Sequence, residues 1–320
     1  SPLEIFKILF KGAFGSSVNI TNTLLKTTTL TLAGLSYAFA YRCGLVNIGA
    51  EGQMYMGALA ATCVVLFMPG PAWLVILVAL VAGFLGGAVW GVLAAWLKIR
   101  FGAGEVITTV MLNYVAMYLV QYMVCGPIQD PNSSAAQTIM FDEKYWLPSI
   151  VPGSNIHIGV LLMLLGLAFF GVFLWKTVPG LGIRIVGQNR SAAAYAGINV
   201  DKNTMMAMFL AGGFAGLGGA IEVLGVQHRL LKGMASNFGF DGVAVALLGG
   251  NAPVGMLLAG ILLGGMKSGG NAVQMFTKVP SSVVDLIRAL VIVFVLVNVL
   301  SRVLSVVQEK RSKKGAMSNV

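Results

Sequence analysis

Few side chains in this chain could do chemistry, and most of them interrupt stretches that are otherwise apolar. The three cysteines, Cys43, Cys63 and Cys125, stand far apart and match no ligand spacing, and the two histidines, His157 and His228, add no metal or nucleophile–base pattern to them. A phosphate loop is missing. In the nearest approach, Gly260 to Ser268, Met266 stands where lysine should follow glycine. What remains is a set of amides, carboxylates and aromatics: Asn47, Glu51 and Gln53 in one short segment, Asn113 and Tyr114 in a second, Phe240 and Asp241 in a third, and Glu222 near the end of a long apolar run. No clustered nucleophile, paired acids or metal ligands accompany them, which argues against an enzyme. Ionisable groups in such positions are costly and often functional.

The elements that carry these residues are membrane helices. Hydrophobic residues make up 57% of the 320 and charged residues 10%, whereas soluble domains average about 25% charged. A bilayer core of about 30 Å needs roughly 20 apolar residues as helix. Runs of that kind lie at 23–41, 50–68, 72–97, 106–125, 156–175, 204–226, 254–273 and 284–304, and a further apolar segment, 238–249, is too short to span straight. The fold class expected is an all-α, polytopic membrane helix bundle with about nine visible spans and short broken helices near its centre. Residues 1–14 alternate Lys7 and Lys11 with Phe6, Phe10 and Phe14 at helical spacing, an amphipathic helix for the interface within an N-terminal segment 1–20. Gly83, Gly87, Gly91 and Ala95, and later Gly212, Gly216 and Ala220, recur every fourth residue as close-packing faces.

The net charge of +10 belongs to the ends of apolar runs and is read as topology, not as nucleic-acid binding. Loop 177–203 and the tail 306–320 are basic and are expected in the cytoplasm, while 126–155, with Asp130, Asp142 and Glu143, is expected outside. The chain begins at Ser1 without methionine, so a fragment lacking its N-terminus is expected.

Three segments carry the functional argument. In 44–53 the glycines Gly44, Gly49 and Gly52 weaken continuous helix, and Asn47, Glu51 and Gln53 bring hydrogen bonds to the break. Two readings fit the residues equally, a discontinuous segment beside a polar path or a tight turn with Glu51 in water. In 102–114, Asn113 either bridges helices or faces a polar path. In 182–200, Asn189 or Ser191 can cap a short alanine helix and Gly197 can close it. So short a helix is marginal alone and should dock into a partner's groove.

These segments resemble the permease family of bacterial ABC importers for simple sugars, nucleosides and branched-chain amino acids. "GLVNIGAEGQ" at 44–53 and "EVITTVMLNY" at 105–114 resemble the nucleoside-type branch, residues 187–200 resemble its coupling segment, and "FGFDGVAVALLG" resembles its later broken helix. Gly104 departs from the asparagine usual in that branch. The resemblance implies ten helices, the first preceding Ser1, in one permease domain of the bacterial cytoplasmic membrane. It implies a second homologous permease in a heterodimer, a cytoplasmic ATPase that binds the ATP, and an outer lipoprotein receptor, with no cofactor in this chain. The substrate pathway expected runs by Asn47, Glu51, Gln53, Asn113, Tyr114, Phe240 and Asp241. ATPase coupling is expected at Gly187, Asn189, Arg190, Ser191, Ala192, Ala196 and Gly197, with a coupling helix Ser191–Gly197.

Overall fold

The computed structural model describes residues 2–151, 153–235 and 237–276, with 286, 289, 290 and 293. The expected span 284–304 and the tail 306–320 therefore lie outside the described residues, apart from those isolated positions. The described residues form eleven α-helices and no strand: α1 (Pro2–Phe14), α2 (Ser17–Arg42), α3 (Ala50–Phe67), α4 (Ala72–Phe101), α5 (Glu105–Val124), α6 (Gly159–Lys176), α7 (Val178–Gln188), α8 (Arg190–Tyr195), α9 (Val200–Glu222), α10 (Phe238–Leu248) and α11 (Pro253–Phe276). Five are long and apolar enough to cross a membrane, namely α3, α4, α5, α6, and α9 with the π-helical turn Val223–Gln227 that continues it.

Local sequence sets the ends of these helices. Ser16 accepts from the Asn19 N–H to start α2, Thr177 from Gly180 to start α7, and Asn199 from Lys202 to start α9. Gly102, at φ +67°, closes α4 in the left-handed conformation. Helix α2 begins at Ser17, so residues 17–20 of the expected N-terminal segment belong to it; the Ser16 cap decides the start. Helix α6 begins at Gly159, leaving 156–158 of the expected span in a loop. Helix α1 forms as the amphipathic pattern predicts and rests its Gly12 on Gly269 and Ala272 of α11.

The centre of the bundle is polar for a membrane protein. In α2, Thr21, Thr23, Thr27, Thr28, Thr29 and Thr31 are all buried. Thr21 and Thr28 donate to the carbonyls of Ser17 and Leu24 one turn back, and Thr27 donates across to the Gly260 carbonyl of α11 at 3.2 Å. Such hydroxyls suit a helix whose neighbours are protein, which is why α2 is less apolar than the outer helices. Helix α4, by contrast, has a mean hydropathy of 2.5 and is only 28% buried in its most apolar window.

The two small-residue faces read from the sequence meet each other. Gly83, Gly87 and Gly91 of α4 pack against Gly212 and Gly216 of α9, and Gly57 of α3 packs on Gly216. A Cβ on Gly87 would collide with the Gly212 carbonyl, and one on Gly216 with the Gly83 carbonyl, so backbone itself is the obstacle. Beside this seam Phe39 stacks on Phe214, with centroids 5.4 Å apart, and meets Phe170 edge-on at 4.8 Å. Gly216→Val should therefore separate α3, α4 and α9 at a cost of at least about 3 kcal/mol. The expected outcome is a sharp loss of folded protein on size-exclusion chromatography, while Gly70→Ala, at an open position, leaves the yield unchanged.

Candidate functional site

The site begins with a break in the bundle. Helix α2 ends at Arg42, and residues 43–49 turn back between the helices to start α3 at Ala50. Every residue of this return from Leu45 to Ala50 is at least half-buried, so its polar groups need partners inside the protein. Asn47 supplies one set. Its Nδ2 donates to Ser36 Oγ at 2.9 Å and to Gln53 Oε1 at 3.1 Å, its Oδ1 accepts from the Gly49 N–H at 2.9 Å, and Ser36 Oγ donates to Gln53 Oε1 at 2.9 Å. Asn113 of α5 supplies the other, accepting from the Gly52 N–H at 2.7 Å and donating to the Ile48 carbonyl at 2.9 Å. Asn113 thus caps α3 from a neighbouring helix, doing for the Gly52 N–H what no side chain of Gly49, at the N-cap, can do. Asn47 and Gln53 are wholly enclosed.

A second break lies beside the first. The chain leaves α9 through the π-helical turn, passes His228 and Asn237 with positive φ, and starts α10 at Phe238. Gly239 presses on the backbone of Glu51, so the two breaks touch. Between them and α5 lies a cavity of about 180 Å3 lined by Glu51, Val110, Asn113, Tyr114, Met117, Asn237 and Phe240. Tyr114 and Phe240 are each about half exposed and form its rim. Glu51 lies at this cavity against Gly239 and is partly buried. Asp241 is not in the lining of this cavity and bonds Lys267 Nζ at 3.1 Å. Lys267 lies 3.8 Å from the centroid of the Phe238 ring, and Lys26 lies 5.3 Å from it. Lys26 in turn meets Glu222 at 3.4 Å, and Glu222 also accepts from Thr29 Oγ1 at 2.7 Å and Gln227 Nε2 at 3.2 Å. Phe238 is thereby clamped between two cations, each holding a buried carboxylate.

The α7–α8 hairpin lies at the end of the bundle where α2 stops. The short helix runs Arg190–Tyr195, with Asn189 as its cap accepting from the Ala192 N–H at 3.0 Å. This corrects the expected Ser191–Gly197: Asn189 and not Ser191 is the cap, Ala196 ends the helix, and Gly197 at φ +78° turns the chain. Arg190 reaches Thr204 at 3.4 Å. Ser191, Ala192, Ala196 and Gly197 are exposed, and Tyr195 is 94% exposed. Gly187 abuts Arg42 and Gly44 backbone to backbone; a Cβ on it would strike the Arg42 carbonyl. The hairpin and the start of the break are therefore in direct contact.

Residues 19–296 match the family described as branched-chain amino acid transport system / permease component. The chain belongs to this permease family of ABC importers. It is a multi-pass permease of the cell membrane and has no catalytic activity of its own. It is 38% identical to the guanosine ABC transporter permease protein NupP of Bacillus subtilis, over 97% of this chain and 89% of that one. It is 33% identical to the glucose ABC transporter permease protein TsgB13 of Haloferax volcanii, over 93% and 81%, and 32% identical to the nucleoside ABC transporter permease protein NupB of Lactococcus lactis, over 95% and 86%. No solved structure matches the chain.

Several residues of this permease were not legible beforehand. Ser36 and Lys267 are single polar residues inside apolar runs, and that isolation was their signal. Asn237 carries none beyond its type. The far end of the bundle is capped by loop 126–155 folded onto 224–232: Phe141 N donates to the His228 carbonyl at 2.8 Å, and Leu230 N to Thr138 Oγ1 at 3.0 Å. There Trp146 stacks on His228, with centroids 3.8 Å apart. Burial depresses the His157 pKa to about 4 against a small upward pull from Glu222 and a downward one from His228. Burial likewise lowers that of His228.

The sign of the linkage follows. An unfolded histidine binds its proton near pH 6.5, and folded His157 does so only near 4. The stabilisation from neutral, buried His157 is full above pH 6.5 and is lost as pH falls toward 4, a change of up to about 3 kcal/mol. Limited proteolysis of loop 126–155 should accelerate between pH 6.5 and 4.5, and His157→Gln should flatten that dependence. Asn113→Ala should lower thermal stability by about 1–3 kcal/mol, because it strands the Gly52 N–H and the Ile48 carbonyl.

Proposed function

We propose that this permease imports nucleosides by alternating access, coupled to a cytoplasmic ATPase that binds the ATP. The single observation that carries the coupling is the continuity of α8, Gly187, the Arg42–Gly44 backbone and the break that bears Glu51. Movement of α8 by an ATPase would reach Glu51 through backbone packing, with no flexible linker between. Gly187, Asn189, Arg190, Ser191, Ala192, Ala196 and Gly197 make up the handle, and Tyr195 joins them as its most exposed side chain.

The pathway side is the face bearing Tyr114 and Phe240. A carboxylate at a cavity facing lipid would be costly, so this face is assigned to a second permease across a water-filled path. Asn47, Gln53 and Asn113 hold the path's wall in shape, and Asp241 braces it from behind. A heterodimer is favoured because Bacillus subtilis has a second guanosine ABC transporter permease protein, NupQ, that is also similar to this chain. An outer receptor would deliver substrate to the end carrying loop 126–155. Helices α2 and α11, about 39 and 36 Å long at 1.5 Å per residue, are taken as spans of the same bundle. With α10 as a broken helix, the described residues supply eight of the expected nine, and 284–304 lies outside them.

Nucleoside is the substrate class favoured by the guanosine and nucleoside permeases among the relatives. A simple sugar is the second reading, favoured by the glucose permease at 33% identity. Uptake of labelled guanosine, cytidine, ribose and glucose, in cells with and without the gene, separates them. Guanosine uptake lost with the gene and on ATP depletion is expected. Sugar uptake alone would replace the substrate, and uptake that fails only when the ion gradient collapses would refute the mechanism. Ala192→Glu should leave membrane insertion intact and abolish uptake, measured by surface labelling and transport in the same cells.

A further inference from the structure

The cap at the α6 and π-helical end encloses a cavity that none of the residues above was selected to serve. Its volume is about 520 Å3, and it is lined by Glu143, Trp146–Ser149, Ser154 and Asn155 of the loop, by His157, and by Asn22, Leu25, Gly225, Val226 and His228. That volume lies within the roughly 300–1,000 Å3 of small-molecule sites, whereas the 180 Å3 cavity at Glu51 does not. A larger cavity of about 730 Å3 shares Asn22, Leu25 and Val226 with it and is also lined by Lys26.

One group in the wall lacks a partner. His157 is 2% exposed, and its Nε2 makes no hydrogen bond among the described residues. Its Nδ1 accepts from the Gly159 N–H at 3.1 Å, which leaves the ring proton on Nε2. Nε2 faces Gly225, another residue of the cavity wall, and a Cβ there would crowd it. That N–H is covered by Gly225, so it lies behind the wall and not at its surface. Around it stand the flat Trp146–His228 stack, the Glu143 carboxylate, and the amides of Asn22 and Asn155.

We propose that this cavity is a receiving site for a nucleoside on its way to the Glu51 path, with the base against the Trp146–His228 wall and the ribose hydroxyls on Glu143. The inference rests on the nucleoside-importer reading. A planar heteroaromatic base offers a face to an aromatic wall and ring nitrogens or carbonyls that pair with the amides of Asn22 and Asn155. The ribose diol offers two O–H donors, which a carboxylate accepts more strongly than a neutral group does.

The test uses the permease in cells with its partner subunits, with Cys125 replaced by serine. Ser149→Cys and Asn155→Cys, at the exposed edge of the cavity, are treated from outside with a membrane-impermeant maleimide. Guanosine delivered by the receptor should slow labelling of both several-fold, and ribose should not. Trp146→Ala should raise the KM for guanosine uptake about tenfold with little change in the maximal rate, and Trp146→Phe should restore it. Guanosine uptake that proceeds while neither thiol is protected would overturn the receiving site and leave the importer reading standing. Thiols unreactive from outside would overturn it as well. Absence of guanosine uptake in the unaltered cells would instead overturn the nucleoside reading on which the site rests.

Discussion

The organisation of this permease depends on one constraint: backbone broken inside a bilayer must find its hydrogen bonds within the protein. The return at residues 43–49 satisfies it with two asparagines. Asn47 bonds its own loop, Ser36 and Gln53, and Asn113 bonds both the Ile48 carbonyl and the Gly52 N–H. With those bonds in place α3 can begin in the interior, and Glu51 in its first turn can stand at a cavity. The threonines of α2 answer the same constraint, as does the contact between the two breaks at Gly239 and Glu51.

Close backbone packing gives the second half of the design. The α3–α4–α9 seam is glycine on glycine, and Gly187 meets Arg42 and Gly44 in the same manner. Contacts of this kind have no side-chain slack, so they transmit displacement where a longer side chain would absorb it by changing rotamer. The ion pairs around Phe238 are of the opposite type. Lys26 and Lys267 are flexible, partly exposed and each bonded to one buried carboxylate, which suits a position where the structure has to rearrange.

Much of this was legible in the sequence because it depends on residue type and period. The apolar runs set the helices to within a few residues, the every-fourth-residue glycines marked the faces that meet, and a capped alanine stretch marked α8. The start of α2 was set too late because its first turn, Ser17–Asn22, is polar, and for α8 the residues left Asn189 and Ser191 open as caps until geometry chose Asn189. The partners in the site were harder to read, since Asn113 to Gly52 and Lys267 to Asp241 join elements far apart in the chain. Nothing local tells an amide that bonds a neighbouring helix from one that faces a path. Glu222 illustrates the gap: placed equally well at the interface by its polar neighbours, it is 1% exposed because Lys26 and Thr29 reach it from α2.

The most direct test of the account is whether nucleotide at the ATPase changes the surroundings of Tyr114 through Gly187. Tyr114→Cys, with Cys63 and Cys125 replaced by serine, gives a reporter thiol at the rim of the Glu51 cavity. Cys43 stays silent, since it is wholly buried. In the assembled importer in nanodiscs, the labelling rate of this thiol should change several-fold on adding non-hydrolysable ATP. Gly187→Val should remove that response while leaving ATPase binding intact. A response that persists in Gly187→Val would contradict transmission through this contact.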